Sequence, residues 1–168
     1  MPLDLERLYD EHASALFAFL LNFTRDENDT RDVLQEIFIK LARQPDLLAN
    51  ACDERPFLLR LAHNAAIDLM RRRGTRSKHH EQFGAEQLAT FASTDDPDEA
   101  AFRTELSAAL GELPADQRAV VHLKLWAGLT FEEIAATLEI PPNTAASRYR
   151  YGLDKLRVRL RPLYDEIK

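Results

Sequence analysis

"LTFEEIAATLEIPPNTAASRYRYGLDKLRVRL", residues 129–160, sets two prolines between two stretches of helical periodicity. Thr130 and Glu133 have the spacing of a capping box, and Leu129 and Ile134 are placed for a hydrophobic staple. The spacing predicts a helix from Phe131 that turns Ile134, Ala135 and Leu138 inward. Pro141 and Pro142 disfavour the α conformation before them and remove backbone donors, which ends it. Pro142 is tolerated in the first turn of a new helix, whose apolar stripe is Ala145, Tyr149, Leu153, Leu156 and Leu160. Two helices joined by a tight turn, the second running into a basic tail, describe a helix-turn-helix.

The opposite face of that second helix holds Asn143, Thr144, Ser147 and Tyr151. Arg148, Lys155 and Arg159 flank it on one side, Arg150 and Arg157 on the other. Short polar groups in the middle suit base edges, and charged rails suit the two phosphate backbones of a major groove. The same pattern also describes an ordinary solvated amphipathic helix.

Outward from this motif, the pattern predicts a helix from Asp98 to Leu110 ending at Gly111. Another is opened by Pro114 and carries Val120, Val121, Leu123 and Leu125 to a stop at Gly128. Before them, His79 to Phe102 has six carboxylates, Glu81, Glu86, Asp95, Asp96, Asp98 and Glu99, and no Lys or Arg. Lacking a sustained apolar stripe, this stretch reads as a flexible acidic linker that lets two domains move independently.

The N-terminal part shows three helical patterns. Leu5, Leu8, His12, Ala15/Leu16, Phe19/Leu20 and Phe23 recur at spacings of three and four. In "TRDENDT", residues 24–30, Asp26, Asn28 and Thr30 resemble the start of a calcium loop. Arg31 and Ile37 stand where its glycine and glutamate are required, so a turn and helix cap is predicted. A second helix, Asp29 to Arg43, buries Val33, Leu34, Ile37, Phe38 and Leu41 and gathers Asp32, Gln35, Glu36 and Ile39 outward. An isoleucine centred in a polar face is either scatter or part of a partner surface. A third helix, Arg55 to Arg73, buries Leu58, Leu61, Ala62, Ala65, Ala66 and Leu69. It presents Arg60, Asn64, Asp68 and Arg71 to Arg73, residue types that contact phosphates and bases or simply complement a helix end.

Composition sets the limits. A chain of 168 residues, 45% apolar and 30% charged, suits one ordinary domain or two small ones. The single Cys52 cannot form a disulfide within the chain. No signal peptide or membrane span is read, so a cytoplasmic location is expected. The net charge of −6 argues against unspecific coating of nucleic acid, yet the basic residues cluster at 71–78 and 148–161.

"DTRDVLQEIFIKLAR", "FLLRLAHNAAIDLMRRR" and "LPADQRAVVHLKLWAGLTFEEIAATLEIPPNTAASRYRYGLDKLR" resemble, in order and separation, the region 2 and region 4 signatures of extracytoplasmic-function (ECF) sigma factors of bacterial RNA polymerase. The resemblance covers nearly the whole chain outside the linker. It implies an all-α protein: a three-helix region 2-like domain over 1–76, a linker over 77–97 and a four-helix region 4-like domain over 98–168. It implies a non-catalytic subunit, without cofactor, that binds core polymerase and helps open promoter DNA.

By resemblance, Asp32, Gln35, Glu36 and Ile39 would dock on the clamp coiled coil of the polymerase β′ subunit, and the second domain on the β flap. Asn50, Arg60, His63, Asn64, Asp68, Arg71, Arg72 and Arg73 would engage the −10 element and its opened strand. Asn143, Thr144, Ser147, Arg148, Arg150, Tyr151 and Lys155 would read the −35 element. Whether an anti-sigma protein also binds is left open. The chain departs from the family pattern at Glu139, often glycine, at Ala146, often basic, and at His63, commonly arginine.

Two other classes compete. A stand-alone DNA-binding regulator would leave the outward Asp32, Gln35 and Ile39 without a purpose. An enzyme could draw bases from His12, His63, His79, His80 and His122, but no nucleophile pairing, phosphate loop or metal-ligand spacing accompanies them.

Overall fold

The computed structural model describes the backbone of residues 3–51, 53–73 and 96–167, and the side chains of these up to Pro162. Cys52, Arg76, Lys78, His79, His80 and nearly all of the expected linker lie outside the described residues. The described chain is helical throughout, as expected: α1 (Leu5–Thr24), α2 (Glu27–Arg43), α3 (Asp46–Ala49) and α4 (Glu54–Arg73), then α5 (Pro97–Glu112), α6 (Ala115–Leu125), α7 (Phe131–Leu138) and α8 (Pro142–Ile167).

Local chemistry explains the boundaries. Asp4 caps α1 by accepting from the Arg7 amide, and Arg25 ends that helix in the left-handed region at φ 59°. Asp26 accepts from the Asp29 amide and starts α2, so "TRDENDT" is the turn and cap that its sequence predicts. Both halves of the Thr130–Glu133 capping box form, and Leu129 and Ile134 are buried beside it. Glu139 closes α7 at φ 58°, ψ 48°, a conformation that glycine adopts without strain and glutamate does not.

In the first half, α1, α2 and α4 pack around Leu8, Leu16, Phe19, Leu20, Val33, Ile37, Leu41 and Leu58. Arg7 and His12 of α1 hold Glu54 at the start of α4, with N···O distances of 2.7 and 3.2 Å. His12, expected on the core stripe, thus serves as a polar tie. In the second half, α5 and α6 pack on α8 through Leu110, Val121 and Leu156, while α7 packs on α8 near Ala145.

Gly152 sets how closely α6 and α8 approach. A Cβ added there would lie 2.7 Å from Cγ2 of the buried Val121, closer than packed carbons allow. Valine is stiff at χ1 and cannot swing aside. Gly152→Ala gains about 1 kcal/mol of helix propensity but overpacks the contact by about 1–3 kcal/mol. Urea unfolding is expected to show a net loss of about 1 kcal/mol, and a smaller loss when Gly152→Ala is made in a Val121→Ala background.

The two halves are packed together rather than held apart. Helix α4 lies against α7 and α1 against α6, and one apolar core runs from Phe19 and Phe23 to Val120, Leu123 and Ile134. The one-sided stripe expected of α1 fails at its end, where Leu21 and Asn22 are as buried as Leu20 because α6 covers them. Gly111, expected to stop α5, lies inside it. A Cβ there would come 2.8 Å from the Arg25 guanidinium, so this glycine makes room for an arginine of the other half.

Candidate nucleic-acid and partner interfaces

Three surfaces gather the residues to which the sequence pointed. On α2, Asp32, Gln35, Glu36 and Ile39 all face solvent, and Ile39 is 50% exposed. Beside them a groove of about 530 Å³ opens between α1 and α2, lined by Tyr9, Phe17, Leu34, Gln35, Phe38 and Ile39. The Tyr9 and Phe38 rings meet edge to face at 5.2 Å across it. Ile39 is therefore the rim of an apolar groove rather than an isolated exposed residue. Tyr9 and Phe17 were not foreseen; they lie off the α1 stripe, and only the tertiary contact with α2 brings them to Ile39.

The second surface is α4 with the loop before it. Asn50 caps the C-terminus of α3 and lines a polar pocket of about 430 Å³ with Arg43, Gln44, Asp46 and Leu47. Asp68, Arg71, Arg72 and Arg73 are exposed at the end of α4, where Arg73 pairs with Asp29 of α2. Arg60 is exposed but forms an ion pair with Glu139 at 3.3 Å, and Asn64 is half-buried.

His63 departs from expectation. It is only 8% exposed and packs edge to face on Phe23 at 5.3 Å, so it is not available to DNA in this arrangement. Burial pushes its pKa down, against a hydrogen bond to Asn64 and the nearby Glu139 carboxylate, which act the other way. The sequence places His63 on the polar side of α4, where the second half, not solvent, meets it.

The third surface is the exposed face of α8. Asn143, Arg150, Tyr151 and Lys155 are exposed, and Thr144, Ser147 and Arg148 partly so. The Arg150 guanidinium lies 5.5 Å from the Tyr151 ring centroid, so cation and aromatic face are held as a pair. Arg148 reaches Asp116 at 3.5 Å, and Lys155 donates to Gln117 at 3.1 Å, which places both beside α6. Arg159, expected on a phosphate rail, is instead paired with Glu105 and Glu112 of α5 at 3.3 and 3.2 Å. Leu125, at the end of the apolar run of α6, is 50% exposed. It lines an apolar groove of about 620 Å³ with Phe102, Leu106, Leu153, Val158 and Leu160, flanked by Arg157 and Arg161.

Among the described residues no helix is long and apolar enough to cross a membrane. Donor atoms of Glu11, His12 and Glu54 lie within 4.8 Å of one another, but the Arg7 guanidinium pairs with both carboxylates and occupies the place of a cation.

Comparison with known proteins agrees with this geometry. Residues 8–76 match the family model for sigma-70 region 2, and residues 103–156 that for sigma-70, region 4. The chain is 31% identical over 164 residues to the ECF RNA polymerase sigma factor SigL of Mycobacterium tuberculosis, covering 95% of this chain and 90% of the relative. It is 32% identical to the RNA polymerase sigma factor CarQ of Myxococcus xanthus, over 96% and 92% of the two chains. With the ECF RNA polymerase sigma factor SigX of Bacillus subtilis it shares 30% identity over 95% and 85%. Its fold is similar to that of the sigma factor RpoE in the co-crystal structure with the anti-sigma factor NepR from Bartonella quintana. That similarity has a TM-score of 0.72 and 21% identity, over 93% of this chain and 96% of the other.

Proposed function

Since the chain belongs to the ECF sigma factors and directs promoter-specific transcription initiation by RNA polymerase, we propose how its three surfaces divide that work. The outward face of α2, with the groove that Ile39 borders, binds the β′ clamp coiled coil. Its apolar lining rimmed by Asp32, Gln35 and Glu36 suits a helical partner carrying apolar and basic side chains. The basic end of α4 and the polar pocket at Asn50 hold the −10 element, with a base of the opened strand in the pocket. The face of α8 reads the −35 element in the major groove. The apolar groove between α5 and α8 receives the β flap. The protein works in the cytoplasm as a non-catalytic partner of the polymerase, and an anti-sigma protein is a further partner of the same surfaces.

The observation that carries this reading is the exposed Ile39 groove, which a stand-alone DNA-binding protein has no use for. DNA reading rests on the order of groups along α8. Arg150, next to Tyr151 and about one turn past Ser147, is placed for a guanine edge, whereas Lys155 lies about one and a half turns further and reaches only the backbone. In holoenzyme titrations, Arg150→Ala is expected to cost about 1–3 kcal/mol and to relax preference at one position of the −35 element. Lys155→Ala weakens all sequences alike and lowers the salt slope by about one. If Arg150→Ala also acts uniformly across −35 variants, Arg150 is a phosphate contact and base reading falls to Asn143, Ser147 and Tyr151.

A further inference from the structure

Arg148, Gly152 and Lys155 stand at i, i+4 and i+7 of α8, so they form one stripe of that helix, and the stripe meets the first turn of α6. Gly152 permits the approach: a Cβ there would lie 3.8 Å from both the Cβ and the carbonyl oxygen of Gln117. With the helices this close, two successive residues of α6 each reach one cation of α8. Asp116 Oδ1 accepts from the Gln117 amide at 2.9 Å, and Asp116 Oδ2 lies 3.5 Å from Arg148 Nε. Gln117 Oε1 accepts from Lys155 Nζ at 3.1 Å. The two cations of the stripe are thus held in the same manner by acceptors of different charge.

That difference matters at a phosphate. A neutral amide oxygen fixes Lys155 and leaves its whole charge to meet a phosphate and release a counterion. A carboxylate cancels the charge of Arg148 before DNA arrives and stays beside any phosphate that Arg148 meets. The side chains of Asp116 and Arg148 are 52% and 31% exposed, so their pair is screened, weak and open to exchange. Asp116 makes no capping hydrogen bond to α6, whose N-cap position is Pro114.

We propose that the first turn of α6 sets the strength of DNA backbone contact along α8: Asp116 competes with phosphate for Arg148, while Gln117 holds Lys155 ready for it. This inference rests on the assignment of α8 to the −35 element. Backbone attraction is kept low at the head of α8, so base contacts rather than the charged rail hold the helix in place. Less of the protein is then drawn onto the large excess of DNA that carries no promoter.

The test is a titration of holoenzyme, at several salt concentrations, with a duplex from a promoter it transcribes and with the same duplex scrambled at the −35 element. Asp116→Asn is expected to tighten both duplexes on the order of fivefold at about 0.15 M salt and to steepen the salt slope by about one, the worth of one further phosphate contact. Gln117→Glu is expected to do the reverse at Lys155, by about the same factor. The gain from Asp116→Asn shrinks when Arg148→Ala is already present, because no cation is left to release. Both positions are on the surface, but a carboxylate in the first turn also complements the helix dipole, so unfolding curves accompany each titration.

Weaker binding by Asp116→Asn would make Asp116 a support that aims Arg148 at phosphate, and an equal gain with and without Arg148 would make it a bare charge; either result overturns the proposal. An unchanged salt slope in both single variants, while Lys155→Ala still weakens binding, overturns it as well. If Lys155→Ala and Arg150→Ala also have no effect, α8 does not lie on the −35 element, and the functional assignment falls together with this inference.

Discussion

Gln35→Ala together with Ile39→Glu lowers the affinity for core RNA polymerase by a factor on the order of 30 or more and leaves the fold intact. Both side chains are exposed on α2, pointing away from Val33, Ile37 and Leu41, so neither contributes to the core. Surface changes of this kind alter stability within about 0.5 kcal/mol. Binding is different, because a partner helix seated in the groove between α1 and α2 would desolvate Ile39 together with Tyr9, Phe17 and Phe38. A carboxylate placed at that rim stays unpaired in an apolar contact, and central contacts of this type are worth about 2 kcal/mol or more. Fluorescence titration of labelled protein with core polymerase measures the loss, and unfolding curves check the fold. Unchanged affinity in a folded double variant would remove α2 from the polymerase interface.

Acid weakens the protein between pH 6.5 and pH 4, and His122 is the largest identified cause. The imidazole is 8% exposed, stacked on Trp126 at 5.5 Å and edge-on to Phe19 at 5.6 Å. Its Nδ1 accepts from Asn22, whose oxygen is held by Arg25, so the ring is kept neutral by its own hydrogen bond. Burial pushes its pKa down to about 4. In the unfolded chain the group titrates near 6.5, so below that value the unfolded state takes up a proton that the folded state refuses. The stability linked to His122 is complete above pH 6.5 and is lost as pH falls to 4, about 3 kcal/mol in all. His63, its pKa also lowered by burial, acts in the same direction. His122→Gln keeps an acceptor for Asn22 without a titrating ring, and is expected to flatten the slope of unfolding free energy over that range. An equal slope in wild type and variant would exclude His122 as the source.

Much of this architecture could be read along the chain because it depends on neighbours in sequence. The Thr130–Glu133 box, the proline break before α8, the Asp26 cap and the outward Ile39 all follow from spacings of four residues or fewer, and the structure has each of them. What the sequence hid lies between the halves. Leu21 and Asn22 look like the solvent side of a one-faced helix, and Gly111 looks like a helix stop, until α6 and Arg25 are brought against them. One local sign was present: residues 16–23, "LFAFLLNF", are apolar nearly all round, as in a helix covered on every side. His63 was expected at DNA from the family resemblance and Arg159 from its position on a helical wheel, yet His63 is covered by the other half and Arg159 pairs with Glu105 and Glu112. Long polar side chains choose partners that periodicity does not record.

Sequencing of the 5′ ends of transcripts made by core RNA polymerase with this protein, on a library of genomic fragments, tests the division of labour most directly. The predicted result is a set of starts that share two upstream motifs, near −10 and −35, with Arg150→Ala relaxing one position of the −35 motif alone and Gln35→Ala with Ile39→Glu abolishing the set. Starts identical to those of core polymerase alone, or a −10 motif altered by Arg150→Ala, would contradict it.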